Sequence, residues 1–404
     1  MIVWQMLRRS LALLLRPRVF GRKYQIAVDP NPSPGVNVVG YLRAELGIAE
    51  IARQIVRSVQ RAGIPCSTLT YHRTLSRQEH PFSSPDCMTA PFDTNIICVN
   101  ADQLPFFRSD VGSAFFHGRY SIGVWFWEVA HFPARFHSAL DCIDEVWVAS
   151  DFVLRAISAE TSKPVRVVPL PIGEPSAVRF SRDELDLPDG FLFFFSFDFL
   201  SVFERKNPLA VVQAFKRAFE SNEGASLVIK SINGARDTRS LRRLQAAAAD
   251  RGDIHVVDGY VSAATKNATI AACDCYVSLH RSEGYGLTMA EAMAYGKPVI
   301  ATRYSGNLEF MNDANSYLVP FRPVAIPKRC GPYPAGDEWA EPDVAAAAEL
   351  MRGVYDHRDE ARNVGRKARA ALVAHHTTER TASFISSRLG EIRQRPSFAG
   401  KVGR

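Results

Sequence analysis

The sequence lacks several features, and each absence narrows the field. No uninterrupted apolar run approaches the roughly 18 residues needed to cross a bilayer, so no spanning helix is expected. Glycine (25) and proline (24) are near average in a chain of 404 residues, which excludes collagen-like and low-complexity readings. No Asp-x-Asp metal motif stands out. Cysteine is sparse: seven, odd in number and scattered, at Cys66, Cys87, Cys98, Cys142, Cys273, Cys275 and Cys330. That pattern fits reduced thiols in a cytoplasmic protein. Cys273-Asp274-Cys275 has no second pair at zinc spacing, so its thiols are read as small buried apolar groups.

What is present is an ordinary globular composition, 47% hydrophobic and 23% charged, which rules out disorder for most of the chain. The length suggests two or three domains. The net charge of +7 is modest and gathers at the two ends, over 8–23 and beyond 388. The apolar stretch 11–15 interrupts the first basic cluster. Such a segment suits an anionic membrane surface; a solvated tail is the equal alternative. A signal peptide is disfavoured, because no small-x-small cleavage site follows and Arg16-Pro17-Arg18 comes directly after the apolar run. Nucleic acid is not an expected partner, since clustered aromatics and a basic reading motif are missing.

Short β-branched or aromatic runs alternate with helical stretches, the pattern of β-α-β units. Strands are expected at 35–40, 95–100, 121–128, 145–149 and 165–169, with a helix over 45–62. The polar segment 173–189 reads as a linker. Alternation restarts with strands at 191–197, 226–230, 254–257, 275–279, 298–302 and 316–319, followed by an Ala-rich helical run over 343–389. The expected fold is α/β, with two Rossmann-like doubly wound domains facing across a cleft. Clefts between such domains are where ligands bind.

The stretch 278–302 carries most of the chemistry. A strand ends near His280, the loop Glu283-Gly284-Tyr285-Gly286 follows, and a helix is expected over 287–295 until Gly296-Lys297-Pro298 stops it. The free backbone N–H groups of Gly286, Leu287 and Thr288, with the helix dipole, make a ready anion site. Gly284 and Gly286 permit close backbone approach. Glu283 precedes the helix. Glu291 lies on its second turn and leans back toward the helix start. Carboxylates beside a phosphate are good acceptors for sugar hydroxyls. The arrangement therefore suits a sugar-diphosphate-nucleoside: Glu283 on the sugar, the helix tip on the diphosphate, Glu291 on the ribose.

Glu283-x7-Glu291, continued by Ala292-Met293-Ala294 and Gly296-Lys297-Pro298-Val299-Ile300, resembles the donor-site signature of glycosyltransferase family 4, retaining enzymes of GT-B fold. The segment 203–215 resembles that family's loop-to-helix element whose basic pair grips the donor pyrophosphate; here the pair is Arg205 and Lys206. Two cations there would neutralise the charge growing on the leaving diphosphate. Many members carry an arginine at the end of the preceding strand. This chain has Phe197-Asp198, which leaves Arg205 as the substitute.

The first half matches more loosely. Gly40 and Gly47 stand where the family has a glycine-rich loop near phosphate and acceptor. The segment 123–133 with 144–150 resembles a bacterial subgroup. Where many members place a histidine facing the sugar, this chain has Trp127-Glu128, so Glu128 is the expected acceptor-side group assisting deprotonation. His131 then reads as a helix-start residue. Trp125 and Trp127 are expected on opposite strand faces, one toward the cleft. Lys230 is read equally as a cleft lysine and as a surface lysine. Ser305 is read either as opening a helix near the sugar or as a plain N-cap. The segment 333–342 carries no derivable chemical role.

The resemblance implies a retaining, metal-independent hexosyltransferase without cofactor. It would move sugar from a nucleotide-sugar to a sugar or lipid-linked saccharide, in cell-surface polysaccharide or glycolipid assembly. It would work in the cytoplasm, with an anionic membrane face as a further partner. The implied division is 1–30, a basic N-terminal segment; 31–175, an acceptor-side domain; 188–375, a donor domain; and 376–404, a C-terminal helix and basic tail. The competing readings are another GT-B enzyme (a nucleotide-sugar epimerase or glycogen-type synthase) and a non-catalytic nucleotide- or carbohydrate-binding protein.

Overall fold

The computed structural model describes residues 24–82, 89–173, 175, 180–395 and 398. The basic segment 1–23, Cys87 and the end of the basic tail lie outside the described residues, and with them the expectation of a membrane-surface helix.

The first half folds as β1 (Ala27–Gly40), α1 (Gly47–Arg61), β2 (Cys66–Thr70), β3 (Thr89–Cys98), α2 (Leu104–Val111) and β4 (Tyr120–Trp125). The short α3 (His137–Leu140), then β5 (Glu145–Val148), α4 (Asp151–Ser158) and β6 (Val165–Val167) complete it. All neighbours pair in parallel, in the order β2-β1-β3-β4-β5-β6. Two strands differ from the pattern reading. β1 begins eight residues before the expected 35, through a Pro-rich stretch whose pairing with β3 shifts register twice. Prolines cannot donate to a ladder, so that part pairs irregularly. β2 escapes the pattern altogether because it is a five-residue edge strand, Cys-Ser-Thr-Leu-Thr, with mixed polarity.

The second half begins with β7 (Phe191–Asp198), α5 (Phe203–Lys206), α6 (Pro208–Ala218), β8 (Ala225–Ile232), α7 (Thr238–Ala248) and β9 (Ile254–Asp258). It continues with α8 (Ala263–Ala272), β10 (Cys275–Ser278), α9 (Leu287–Ala294), β11 (Val299–Thr302) and β12 (Tyr317–Val319). Its parallel order is β12-β11-β10-β7-β8-β9. The expected α/β architecture of two Rossmann-like domains is what forms. β7 is nearly all apolar, with residues 191–195 buried, because a central parallel strand is covered by helices on both faces. Its rings pack on Phe215, Phe219 and Tyr276. Strand order reverses between β7 and β10, so their C-terminal ends frame a crevice.

A hairpin and the last described helix cross between the halves. An antiparallel hairpin, β13 (Phe321–Ala325) with β14 (Glu338–Pro342), leaves the second sheet. Its residues Ile326, Tyr333 and Trp339 join the apolar cluster of the first domain. The Ala-rich run becomes α10 (Val344–Asp356), α11 (Arg358–His375) and α12 (Thr378–Arg393). α12 returns to the first domain and packs on α1. There Glu145, fully buried, meets Arg388 through Nε at 2.8 Å and Nη2 at 2.5 Å. The Tyr120 hydroxyl (3.0 Å) and Trp147 Nε1 (2.9 Å) also donate to it. Four donors on one carboxylate offset its desolvation, and removing one partner of a buried pair costs roughly 3–5 kcal/mol. Arg388→Met should therefore lower the thermal midpoint by several degrees, whereas Arg388→Met with Glu145→Gln should recover part of the loss; differential scanning calorimetry reads both.

Candidate active site

The cleft between the sheets encloses about 2200 Å³ and is walled by both halves. The two loops at the switch point of the second sheet carry the candidate donor residues. After β7, Val202 (φ 68°) and Asn207 (φ 53°) bracket α5, and this double turn aims Arg205 and Lys206 inward. After β10 comes the 283–286 loop. Gly286 caps α9 at φ 96°, a left-handed conformation that favours glycine, and a Cβ there would stand 2.5 Å from Met289 Cε.

Around this loop the chain builds a cradle. Arg205, 4% exposed, donates through Nε to Ser201 O (3.1 Å) and through Nη1 to Ser282 O (2.8 Å). Nη1 also lies 3.1 Å from Glu283 Oε2, while Lys206 Nζ contacts Glu283 Oε1. Burial alone would raise the Glu283 pKa, but Lys206 and Arg205 outweigh it and hold the group at about 2, below the usual 4.5. Ser305 Oγ accepts from Glu283 N at 2.8 Å and donates to Tyr304 O. Ser305 itself has φ 75° and makes no side-chain cap, so the N-cap reading is corrected: its hydroxyl braces the Glu283 backbone. His280, fully buried and with its pKa lowered by burial, spans Ser278 Oγ (3.1 Å) and Asn307 Oδ1 (3.2 Å) beneath the loop.

Glu291 faces the same cleft from α9, and Lys266 of α8 holds its Oε1 at 2.7 Å. Among the described residues, the backbone N–H groups of Gly286, Leu287 and Thr288 have no hydrogen-bond acceptor. Gly284 and Thr288 also line the cleft. Lys230 lines it too, but its ammonium is committed to the carbonyls of Ser231 (2.9 Å) and Gly259. Asp198 closes β7, lined up with the cleft and held by Asn233 Nδ2 at 2.8 Å.

The first domain contributes Glu128. Its backbone oxygen accepts from Ser282 Oγ, and its carboxylate accepts from the Tyr333 hydroxyl at 2.9 Å. Arg205 and Lys206 both feel its charge. Glu128, Arg205, Lys206 and Glu283 thus form one cluster of two anions and two cations. Ser150 Oγ, from the start of α4, donates to Gly284 O at 2.8 Å and ties the loop to the first domain.

Several expectations need correction. Gly40 lies off the cleft wall, at the end of β1; a Cβ there would meet Ala52 Cβ at 2.6 Å, so helix packing accounts for the glycine. The Tyr285 side chain turns from the loop into the apolar core, with its hydroxyl 3.1 Å from His376 Nδ1. β4 ends at Trp125, so Trp127 escapes strand alternation; both rings are buried in one cluster, and Phe126 lines the cleft instead. His131 starts no helix; it is exposed, with Nδ1 3.2 Å from Asp337. Tyr333, Lys266, Ser282 and His280 were not singled out from sequence, because nothing in their local spacing announces a partner 25 to 205 residues away. The Cys273 and Cys275 thiols are buried, and burial pushes Cys273 up to about 12. Among the described residues no group of three or more His, Cys, Asp or Glu is arranged to hold a metal, and no helix is long and apolar enough to cross a membrane.

Residues 183–325 match the family model for group 1 glycosyl transferases. That segment contains β7, the Arg205–Lys206 turn and the whole Glu283–Glu291 element. No curated protein matches the sequence. Among solved structures, Anabaena HepE (Alr3699) in complex with UDP and glucose is similar at 13% identity and a TM-score of 0.63, over 89% of this chain and 100% of that one. Sucrose-phosphate synthase from Thermosynechococcus elongatus is similar at 14% identity and a TM-score of 0.65, over 89% and 99%. A Rickettsia africae glycosyltransferase follows at 12% identity and 0.61, over 92% and 99%. At such identities the likeness is one of fold, and that fold is GT-B.

The depressed Glu283 pKa makes stability pH-dependent with a definite sign. Its contribution is complete above the ordinary 4.5 and is lost as pH falls toward 2. The stability advantage of the wild-type chain over Glu283→Gln should be constant near neutrality and shrink across that window. Urea midpoints measured at stepped pH test it.

Proposed function

We propose that the chain is a retaining, metal-independent glycosyltransferase of the family 4 type. It would transfer a hexose from a nucleotide-diphosphate-sugar to a hydroxyl of a saccharide or lipid-linked saccharide. The observation that carries this reading is the cradle itself. A helix tip with free N–H groups lies at a loop whose carboxylate is held by a buried arginine and a half-buried lysine, and a second carboxylate lies one helical turn on.

In this reading the bond from sugar C1 to the diphosphate oxygen breaks, and the acceptor oxygen bonds to C1 on the same face. The acceptor proton passes to an oxygen of the departing diphosphate, with Glu128 beside the acceptor hydroxyl. The products are a glycosylated acceptor and a nucleoside diphosphate. Arg205, Lys206 and the N–H groups at Gly286, Leu287 and Thr288 stabilise the leaving charge, which is the largest electrostatic demand of the step. Glu283 takes sugar hydroxyls, and Glu291 takes the ribose. The ligands named for similar structures, UDP with glucose and UDP-glucose, support the donor class. Assembly of cell-surface polysaccharide or glycolipid at the inner face of the cytoplasmic membrane fits the basic, partly apolar sequence of the first 23 residues.

A panel of nucleotide-sugars tested by thermal shift should identify one donor that raises the melting point. Lys206→Ala should then lower turnover by roughly 10²–10³, the usual loss on removing one group that stabilises developing charge. Glu291→Ala should raise the donor KM; an unchanged KM removes the ribose assignment. Proton NMR of the product's anomeric signal decides retention.

A further inference from the structure

Tyr333 belongs to the second domain by chain order, yet it is packed inside the first. It is 2% exposed, with its ring centroid 5.5 Å from Trp127 and 6.4 Å from Trp339. The backbone around it is pinned, because Cys330 and Tyr333 exchange two N–H···O bonds of 3.0 Å. The stem of its hairpin is fastened to the two donor loops. Ala340 N donates to Arg281 O at 2.9 Å, and the Arg281 guanidinium grips Glu341 (2.8 and 3.0 Å) and Glu204 O (2.6 Å). Arg281 lies two residues before Glu283, and Glu204 adjoins Arg205. The tip reaches the first domain through Tyr333, and the Arg135 guanidinium takes Pro332 O beside it.

We infer that Tyr333 is a positioning residue for Glu128, delivered across the cleft by the β13–β14 hairpin. The inference rests on the reading of Glu128 as the acceptor-side group. Tyr333 donates its phenol proton to Glu128 Oε2 at 2.9 Å, which fixes the carboxylate rotamer. Glu128 Oε1 has no partner among the described residues and belongs to a side chain on the cleft wall, so it is the oxygen left for an acceptor hydroxyl. Ser282 Oγ holds the Glu128 backbone at the same time. Side chain and backbone of one acceptor-side residue are therefore both oriented by the donor-side domain. The acceptor carboxylate is aligned only while the hairpin and the 282–286 loop are docked, so assembly of the site is coupled to the apposition of the domains. A bond to an ionised group is worth more than a neutral one, and its loss leaves Glu128 free to sample other rotamers.

The test uses the full chain with UDP-glucose, UDP-galactose, UDP-N-acetylglucosamine and GDP-mannose, following nucleoside diphosphate release, and UDP affinity by calorimetry. Tyr333→Phe keeps the ring and removes only the hydroxyl. The expected result is a kcat about tenfold or more lower, with donor KM and UDP affinity unchanged. Glu128→Gln should lose more, and adding Tyr333→Phe to it should cost nothing further, because the two act as one unit. Arg135→Gln, which removes the tip's tie to the first domain and leaves the phenol in place, should lower kcat in the same direction by a smaller factor. Additive losses in the double variant, or a wild-type kcat for Tyr333→Phe beside an impaired Glu128→Gln, overturn the positioning role and leave the Glu128 reading intact. A fully active Glu128→Gln overturns both. A wild-type chain that consumes none of the four donors counts against the proposed function itself.

Discussion

Arg205, Lys206 and Glu283 are all nearly withdrawn from water, and the rest of the site depends on their meeting. Taking three charges out of solvent costs far more than one ion pair returns unless every remaining donor finds an acceptor. Here the surplus donors of Arg205 go to Ser201 O and Ser282 O, so this guanidinium is anchored to backbone on both sides of the switch point. That demand ties the loop after β7 to the loop after β10. It also explains why the turn at α5 accepts two non-glycine residues in the left-handed region, Val202 and Asn207. A relaxed turn would not bring both basic side chains to one carboxylate.

Such an arrangement is preorganised for an anion. Arg205 is already dehydrated and Lys206 largely so, both are aimed at the 283–286 loop, and that loop leads into the α9 tip. In the proposed function a donor diphosphate would not have to gather its own partners, which is the condition under which electrostatic stabilisation of a leaving group is most effective. Glu283 has a second consequence. It pairs with both cations, so together with Glu128 it leaves the cluster without a large net charge.

The two domains are joined by more than their linker. α12 returns to bury Arg388 against Glu145, Ser150 reaches Gly284, and the hairpin inserts Tyr333 and Trp339 beside Trp127. The contacts that hold the halves together are thus partly the contacts that compose the site. Stability and site geometry share residues, and a change at the interface is felt at the cleft.

Much of this was legible in the residue order. The β7 aromatic run, the α1 periodicity and the Gly286–Gly296 frame of α9 are local patterns, and local pattern suffices where burial on both faces or a required turn leaves one choice. Glu283 and Glu291 were marked by their spacing around α9, and Arg205 and Lys206 by the resemblance of their segment to a family element. Tertiary structure alone decided the rest. It made Gly40 a packing position and turned Tyr285 into the core. It sent Trp127 off its strand, and it brought Tyr333 to Glu128 and Lys266 to Glu291. Periodicity reports which face of an element is apolar; it carries no information about which distant side chain will fill the space opposite, because that is settled only when the sheets, hairpin and returning helix close on one another.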